Sequence, residues 1–222
     1  MLGRQLRAEV TTMLVEVWSD IVCPWCYIGK RRLQTALGEF EHADQVEVVW
    51  RSFQLDPAYP KGRHEPVYTS LAKKFGGSVA QVKAMTAQVA ELAAAEGLTY
   101  DFEHAQTLNT FDAHRLLHLA KKHGLGPEAH ERLMRANLIE GETLDTETLV
   151  RLAAEIGVPQ EDSRRVLAGD DYTADVEEDI AQARAYGASG VPFFVLDRAY
   201  GVSGAQSADV FLQALRTAHA AA

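Results

Sequence analysis

The hydrophobic positions of this chain change period twice along its length. Residues 13–19 (MLVEVWS) and 46–53 (VEVVWRSF) are short runs rich in β-branched, aliphatic and aromatic side chains, and both predict strands. In the second run Val46, Val48 and Trp50 fall on one face, and Glu47, Val49 and Arg51 on the other. Between the two, residues 27–37 have helical spacing, so the chain opens as strand, helix, strand. Pro57 and Pro60 then break the pattern.

From about residue 65 to 187 the period becomes helical. Val79, Val82, Met85, Val89 and Leu92 recur every three or four residues, with Ser78 placed to cap the start and Gly97 to end it. Residues 111–123 finish in Lys121-Lys122-His123-Gly124, cations and a glycine exit where the helix dipole favours them. Further helices are predicted over 127–139, 146–156 and 159–167, and along a face lined by Tyr172, Val176, Ile180 and Ala183. The acidic run from Asp175 to Asp179 reads as a solvated helix start. Strand character returns at 191–196 and 200–204, and 207–219 predicts a closing helix. The organisation that follows is α/β: two β-rich ends, 13–64 and 188–222, folding together around an all-helical block, 65–187. Residues 1–12 read as a flexible tail, with Met13 as an alternative start.

Composition narrows the function. Lys and Arg number 22 against 31 Asp and Glu, a net charge of −9, and the longest basic run is Lys30-Arg31-Arg32. Nucleic acid and anionic membrane both need a concentrated basic face, so neither is expected as the main partner. No apolar stretch approaches the roughly 18 residues of a membrane span. The N-terminal segment lacks the apolar core of a secretory signal, which makes the expected compartment the cytoplasm.

The chain has two cysteines, both in one window, Cys23-Pro24-Trp25-Cys26. A bridge closing so short a loop constrains the unfolded chain little, so a purely stabilising role is weak. A structural zinc site needs about four ligands, and no second C-x-x-C or C-x-x-H completes the set. Beside a β-α-β pattern the motif predicts a redox dithiol, with no cofactor needed. Cys23 falls at the N-terminus of the first helix, where unpaired N–H groups favour an anion, and is the expected nucleophile. Cys26, one turn on, would resolve the mixed disulfide. Pro24 suits the first helical position, and Trp25 supplies an apolar flank for substrate. With Pro-Trp between the cysteines and no histidine, a potential less oxidising than that of a C-P-H-C protein is expected. A strand followed by C-x-x-C at a helix start, with a β-β-α ending, is the thioredoxin frame, here carrying a large helical insertion.

The segments VEVWSDIVCPWCYIGKRRL, NTFDAHRLLHLAKKHG and SGVPFFVLDRAYGVSGAQS resemble the FrnE-like branch of the DsbA family, over about Val15 to Leu215. The chain is also similar to 2-hydroxychromene-2-carboxylate isomerase and kappa-class glutathione transferase, which usually carry serine where this chain has Cys23. The intact dithiol favours the oxidoreductase side. Some FrnE-like proteins have a further cysteine pair near the C-terminus; this chain ends at His219-Ala220-Ala221-Ala222 without one, so no relay to a second pair is expected.

The resemblance implies further site residues. In thioredoxin and DsbA proteins a buried carboxylate on the first strand helps move the proton of the second cysteine. Glu16 is the candidate here, with one more residue before Cys23, and a solvent-facing strand residue is the alternative. The family proline before the third strand is cis and lies beside the dithiol. Val191-Pro192 is accordingly expected to be cis, with the Val191 backbone pairing an extended substrate. Asn109-Thr110, before a helix, reads as an N-cap or, second, as a groove residue near the dithiol. His114 and His118 have i, i+4 spacing but no third ligand, and are expected to be packing or surface residues. Gly76-Gly77 is a turn.

Three function classes follow. The first is a thiol-disulfide oxidoreductase or isomerase acting on protein or small-molecule disulfides, with glutathione a candidate co-substrate. The alternatives are a glutathione-dependent isomerase or transferase on a small aromatic substrate, and a chaperone-like binding module. No feature of the chain sets an oligomeric state.

Overall fold

The computed structural model describes residues 12–221. The reading of 1–12 as a tail therefore lies, apart from its last residue, outside the described residues. Met13 is the buried first residue of β1 (Met13–Ser19). The β-rich opening continues through α1 (Pro24–Glu39) and β2 (Val46–Ser52). It closes, after the helical stretch, with β5 (Phe193–Leu196), β6 (Tyr200–Ser203) and α9 (Ala208–Ala221). These strands form one sheet in the order β2-β1-β5-β6. β1 runs parallel to β2 and antiparallel to β5, and β5 runs antiparallel to β6. The two ends of the chain thus meet in the middle of one sheet.

Strand alternation decides what each face carries. Met13, Val15 and Val17 of β1 pack with Trp50 of β2, Leu33 and Ala36 of α1, and Phe211 and Leu215 of α9. Trp18 points the other way, against Ala183 of α8 (Thr173–Ala185). A third cluster joins the start of α1, through Ile21, Cys23, Cys26, Tyr27 and Ile28, to α4 (Phe111–Lys122) and α5 (Gly126–Leu138). The dithiol end of α1 is therefore roofed by helices from the middle of the chain.

Those helices follow the sequence signals closely, and α6 (Thr146–Glu155) and α7 (Gln160–Ala168) complete the set. α3 (Val79–Ala95) begins in a capping box in which Ser78 and Gln81 satisfy each other's backbone N–H, and it ends at Gly97 with φ +75°. Two differences stand out. The middle stretch is not purely helical: β3 (His64–Pro66) pairs antiparallel with β4 (Gln106–Leu108), on either side of α2 (Val67–Phe75) and α3. Three-residue strands are too short to show a period. On α3, Val82, Thr86 and Ala93 are buried while Val79, Met85 and Leu92 are exposed, so the core-facing stripe is rotated from the one the apolar spacing suggested.

Candidate active site

β1 ends at Ser19, and a tight turn returns the chain so that the Cys23 N–H donates to the Asp20 carbonyl at 3.1 Å. Cys23 is the N-cap of α1, with extended backbone (φ −92°, ψ 110°), Pro24 takes the first helical position, and no acidic residue occupies the first turn. Cys23 thus stands at the helix end that favours a negative charge. Both thiols are free. Cys23 keeps 3% of its surface exposed, and Cys26 has none. Burial pushes the Cys26 thiol well up, and its contact with Cys23 adds to this; the Asp20 backbone and the Ser19 hydroxyl act in the opposite direction. Trp25 stands 40% exposed beside the pair. From the loop after α3, the Tyr100 hydroxyl donates to the Pro24 carbonyl at 2.6 Å and ties the helical stretch to the dithiol turn.

The Val191-Pro192 peptide bond is cis, as the family resemblance implies. The Cys23 thiol donates to the Val191 carbonyl oxygen at 3.7 Å, so the segment before β5 lies directly on the nucleophile candidate. Gly29 of α1 makes room for it: a β-carbon there would stand 3.1 Å from Pro192 Cγ. Cys23, Cys26, Pro24, Trp25, Val191 and Pro192 are thus brought together.

Two other candidates are not part of this cluster. Glu16 is fully buried, but on the face of β1 opposite Val15 and Val17, and so away from α1. Its carboxylate accepts from Arg51 Nη2 at 2.6 Å, with Arg198 at 3.8 Å. The proton-shuttle expectation is corrected by strand parity, and the solvent-facing alternative by burial. Asn109 serves the local backbone: its Oδ1 accepts from Phe111 N–H at 2.9 Å and its Nδ2 donates to the Tyr59 carbonyl at 2.6 Å. The N-cap position itself belongs to Thr110. Asp179 is no solvated helix start either. It is 2% exposed, pairs with Arg51 at 3.1 Å and His118 at 3.1 Å, and accepts from Ser52 N–H at 2.8 Å. Burial alone would raise its carboxyl, but His118 and the Ser52 amide hold it below its ordinary value.

Sequence reasoning missed the groups beneath the dithiol. The Asp20 carboxylate accepts from the Ile21 N–H (2.8 Å) and the Leu55 N–H (2.7 Å), and its Oδ1 lies 3.2 Å from His114 Nε2. Ser19 Oγ lies 3.0 Å from His130 Nε2. All four side chains are buried. Ser19-Asp20 just before the dithiol, followed by two histidines on helices rich in apolar residues, was the available signal. Among the described residues no group of three or more His, Cys, Asp and Glu is arranged to hold a metal.

Residues 14–216 match the DSBA-like thioredoxin domain family. This chain belongs to that family. The match agrees with the FrnE-like resemblance of the motifs and with a thioredoxin fold carrying a helical insertion. A probable DsbA oxidoreductase, SCO1869 from Streptomyces coelicolor, is 49% identical with a TM-score of 0.91, over 94% of this chain and 90% of that one. The uncharacterized protein YwbO of Bacillus subtilis (strain 168) is 27% identical over 92% of this chain and 96% of its own. The fold is also that of the cytosolic disulfide reductase DsbM from Pseudomonas aeruginosa, with a TM-score of 0.65 at 18% identity over 94% of this chain and all of that one. No helix among the described residues is long and apolar enough to cross a membrane.

Proposed function

We propose that this protein is a thiol-disulfide oxidoreductase in which Cys23 attacks and Cys26 resolves. The observation that carries this reading is the asymmetry of the pair: Cys23 at the helix cap with its thiol on the Val191 carbonyl, and Cys26 fully buried one turn on. In the reducing direction the Cys23 thiolate attacks a substrate disulfide, forms a Cys23–substrate bond and releases one substrate sulfur, which takes up a proton. Cys26 then gives up its proton and attacks Cys23. The Cys23–Cys26 bond forms, the second substrate sulfur leaves and is protonated, and two electrons have passed to the substrate. The oxidising direction is the reverse.

The substrate class is a protein or small-molecule thiol or disulfide. An extended chain would lie along the Val191-Pro192 backbone as a short added strand, with Trp25 as its apolar flank. Residues 13–64 and 188–222 act as the thioredoxin-like unit and 65–187 as the inserted helical unit that walls the site. Glutathione as a co-substrate is supported by the fold shared with DsbM, which has been solved with GSH, and DsbM's cytosolic setting supports a cytoplasmic one here.

The test is equilibration of the pair in glutathione redox buffers, followed by Trp fluorescence, with Cys23→Ser as control. A reversible two-electron transition that the control lacks, together with insulin reduction, is the expected result. A pair that never cycles overturns the proposal, and turnover of glutathione conjugates by the Cys23→Ser protein would replace it with isomerase or transferase chemistry.

A further inference from the structure

The parallel register of β1 and β2 ends at Ser19 and Ser52, and the Ser19 carbonyl still accepts from the Phe53 N–H at 3.2 Å. The next N–H on the same side of that strand belongs to Leu55. By then the main chain of β1 has turned toward α1, and it is the Asp20 carboxylate that meets the Leu55 N–H, at 2.7 Å. Asp20 thus prolongs the ladder with its side chain. The same residue holds the turn: its carbonyl accepts from the Cys23 N–H at 3.1 Å, and its Oδ1 accepts from the Ile21 N–H at 2.8 Å.

Asp20 is buried, and a carboxylate removed from water is costly unless donors surround it. The third donor comes from the helical stretch. His114, one turn into α4 and itself buried, places Nε2 3.2 Å from Asp20 Oδ1. A carboxylate oxygen only accepts, so the ring hydrogen belongs on Nε2. Nδ1, which has no partner, then keeps a lone pair in place of a stranded donor. The β1–α1 turn, the segment after β2 and α4 therefore converge on one carboxylate, and it belongs to the residue whose carbonyl holds the Cys23 N–H. The exchange steps given above use neither Asp20 nor His114.

We infer that Asp20 and His114 are positioning residues for the attacking cysteine: His114 Nε2–H steadies the Asp20 carboxylate, and Asp20 fixes the turn that sets Cys23 at the cap of α1. A helix end favours an anion only within its first turn, so the benefit fades if the cap residue shifts. His114 also shields. With one donor fewer, the Asp20 carboxylate is a barer negative charge, three residues before the sulfur that must itself become negative. Both effects of His114 favour the Cys23 thiolate. Neither residue exchanges a proton, and the covalent steps stay as given. The inference deepens the oxidoreductase reading and rests on it.

The test uses the full-length Cys26→Ala protein, in which Cys23 is the remaining thiol, and reads its alkylation rate at neutral pH. His114→Leu is expected to slow alkylation by about two- to fivefold, the gain that a helix end gives an anion. A merely structural weakening would open the site and speed the reaction instead. His114→Gln, which keeps an N–H at similar reach, should restore the rate. Asp20→Asn removes the anion that His114 serves, so in that background His114→Leu should cost nothing further. An unchanged or faster rate in folded His114→Leu, or an equal loss with and without the Asp20 carboxylate, overturns the inference. Where His114→Leu does not fold, nitrogen NMR shifts of His114 in the parent decide it: a hydrogen on Nε2 is expected, and one on Nδ1 alone overturns the clamp. With both cysteines present, His114→Leu should lower kcat for insulin reduction and leave KM in place; a change confined to KM counts against the inference. Failure of the parent pair to cycle would instead reject the oxidoreductase reading, while Cys23 alkylation would still report on the clamp.

Discussion

Gly29 and Pro192 meet so closely that even a methyl group between them would be crowded. A β-carbon at position 29 would lie 3.1 Å from Pro192 Cγ and 3.2 Å from Phe194 Cζ, so both rings would have to give by a few tenths of an ångström, and Phe194 is fully buried. Gly29→Ala sets a helix-propensity gain of about 1 kcal/mol against an overpacking cost of roughly 1–3 kcal/mol. The expected sum is a loss of about 1 kcal/mol, read from the urea midpoint. Because the strain falls on the segment that covers Cys23, its alkylation rate should change as well.

Arg51 is the hinge of a buried charge cluster, bonding Glu16 on one side and Asp179 on the other. Arg51→Met would leave the fully buried Glu16 without its main counter-ion, a change that costs about 3–5 kcal/mol in comparable sites. The double variant Glu16→Gln/Arg51→Met should recover much of that loss in chemical denaturation. Glu16→Gln alone should weaken the fold and leave the Cys26 titration where it was, opposite to a shuttle's behaviour.

Acid stability should fall in two stages. Burial lowers His130 well below its ordinary 6.5, so the unfolded chain binds the extra proton and stability declines as pH drops below about 6.5. Burial would raise Glu131, but Arg31, Lys30 and Tyr27 hold it at about 2, so its contribution is present above about 4.5 and is lost as pH falls toward 2. His130→Gln should flatten the upper stage of the ΔG–pH curve and Glu131→Gln the lower, each measured by urea unfolding across pH.

Trp25 should matter to partners more than to the fold. With 40% of its surface in solvent, Trp25→Ala is expected to shift stability by no more than about 0.5 kcal/mol. The KM for a protein disulfide should rise several-fold, and more than that for a small disulfide; equal changes for both would remove its recognition role.

What could be read from the chain alone was whatever depends on neighbours in sequence. Cys23-Pro24-Trp25-Cys26 carries its own geometry, since a proline at the first helical position fixes where α1 starts and which cysteine caps it. Ser78 announces the start of α3 for the same reason. Glu16 was misjudged through parity: Val15, Val17 and Ser19 share one face, so a residue between them must look away from α1. Asp179 looked solvated because Glu177 and Glu178 beside it are, and only the fold shows that one position in that run meets Arg51 and His118. The Ser19–His130 contact joins residues 111 positions apart, which no local pattern could pair.

The placement of Cys26 gives the molecule an internal gauge of its own opening. Its sulfur is shut in between the end of a β-strand and the helices that arrive from the middle of the chain, so a reagent can reach it only when these separate. With a reagent fast enough to outpace reclosing, the rate at which Cys26 is labelled in otherwise native protein is the frequency of that separation, and any ligand that grips the helical stretch will slow the count without touching the thiol.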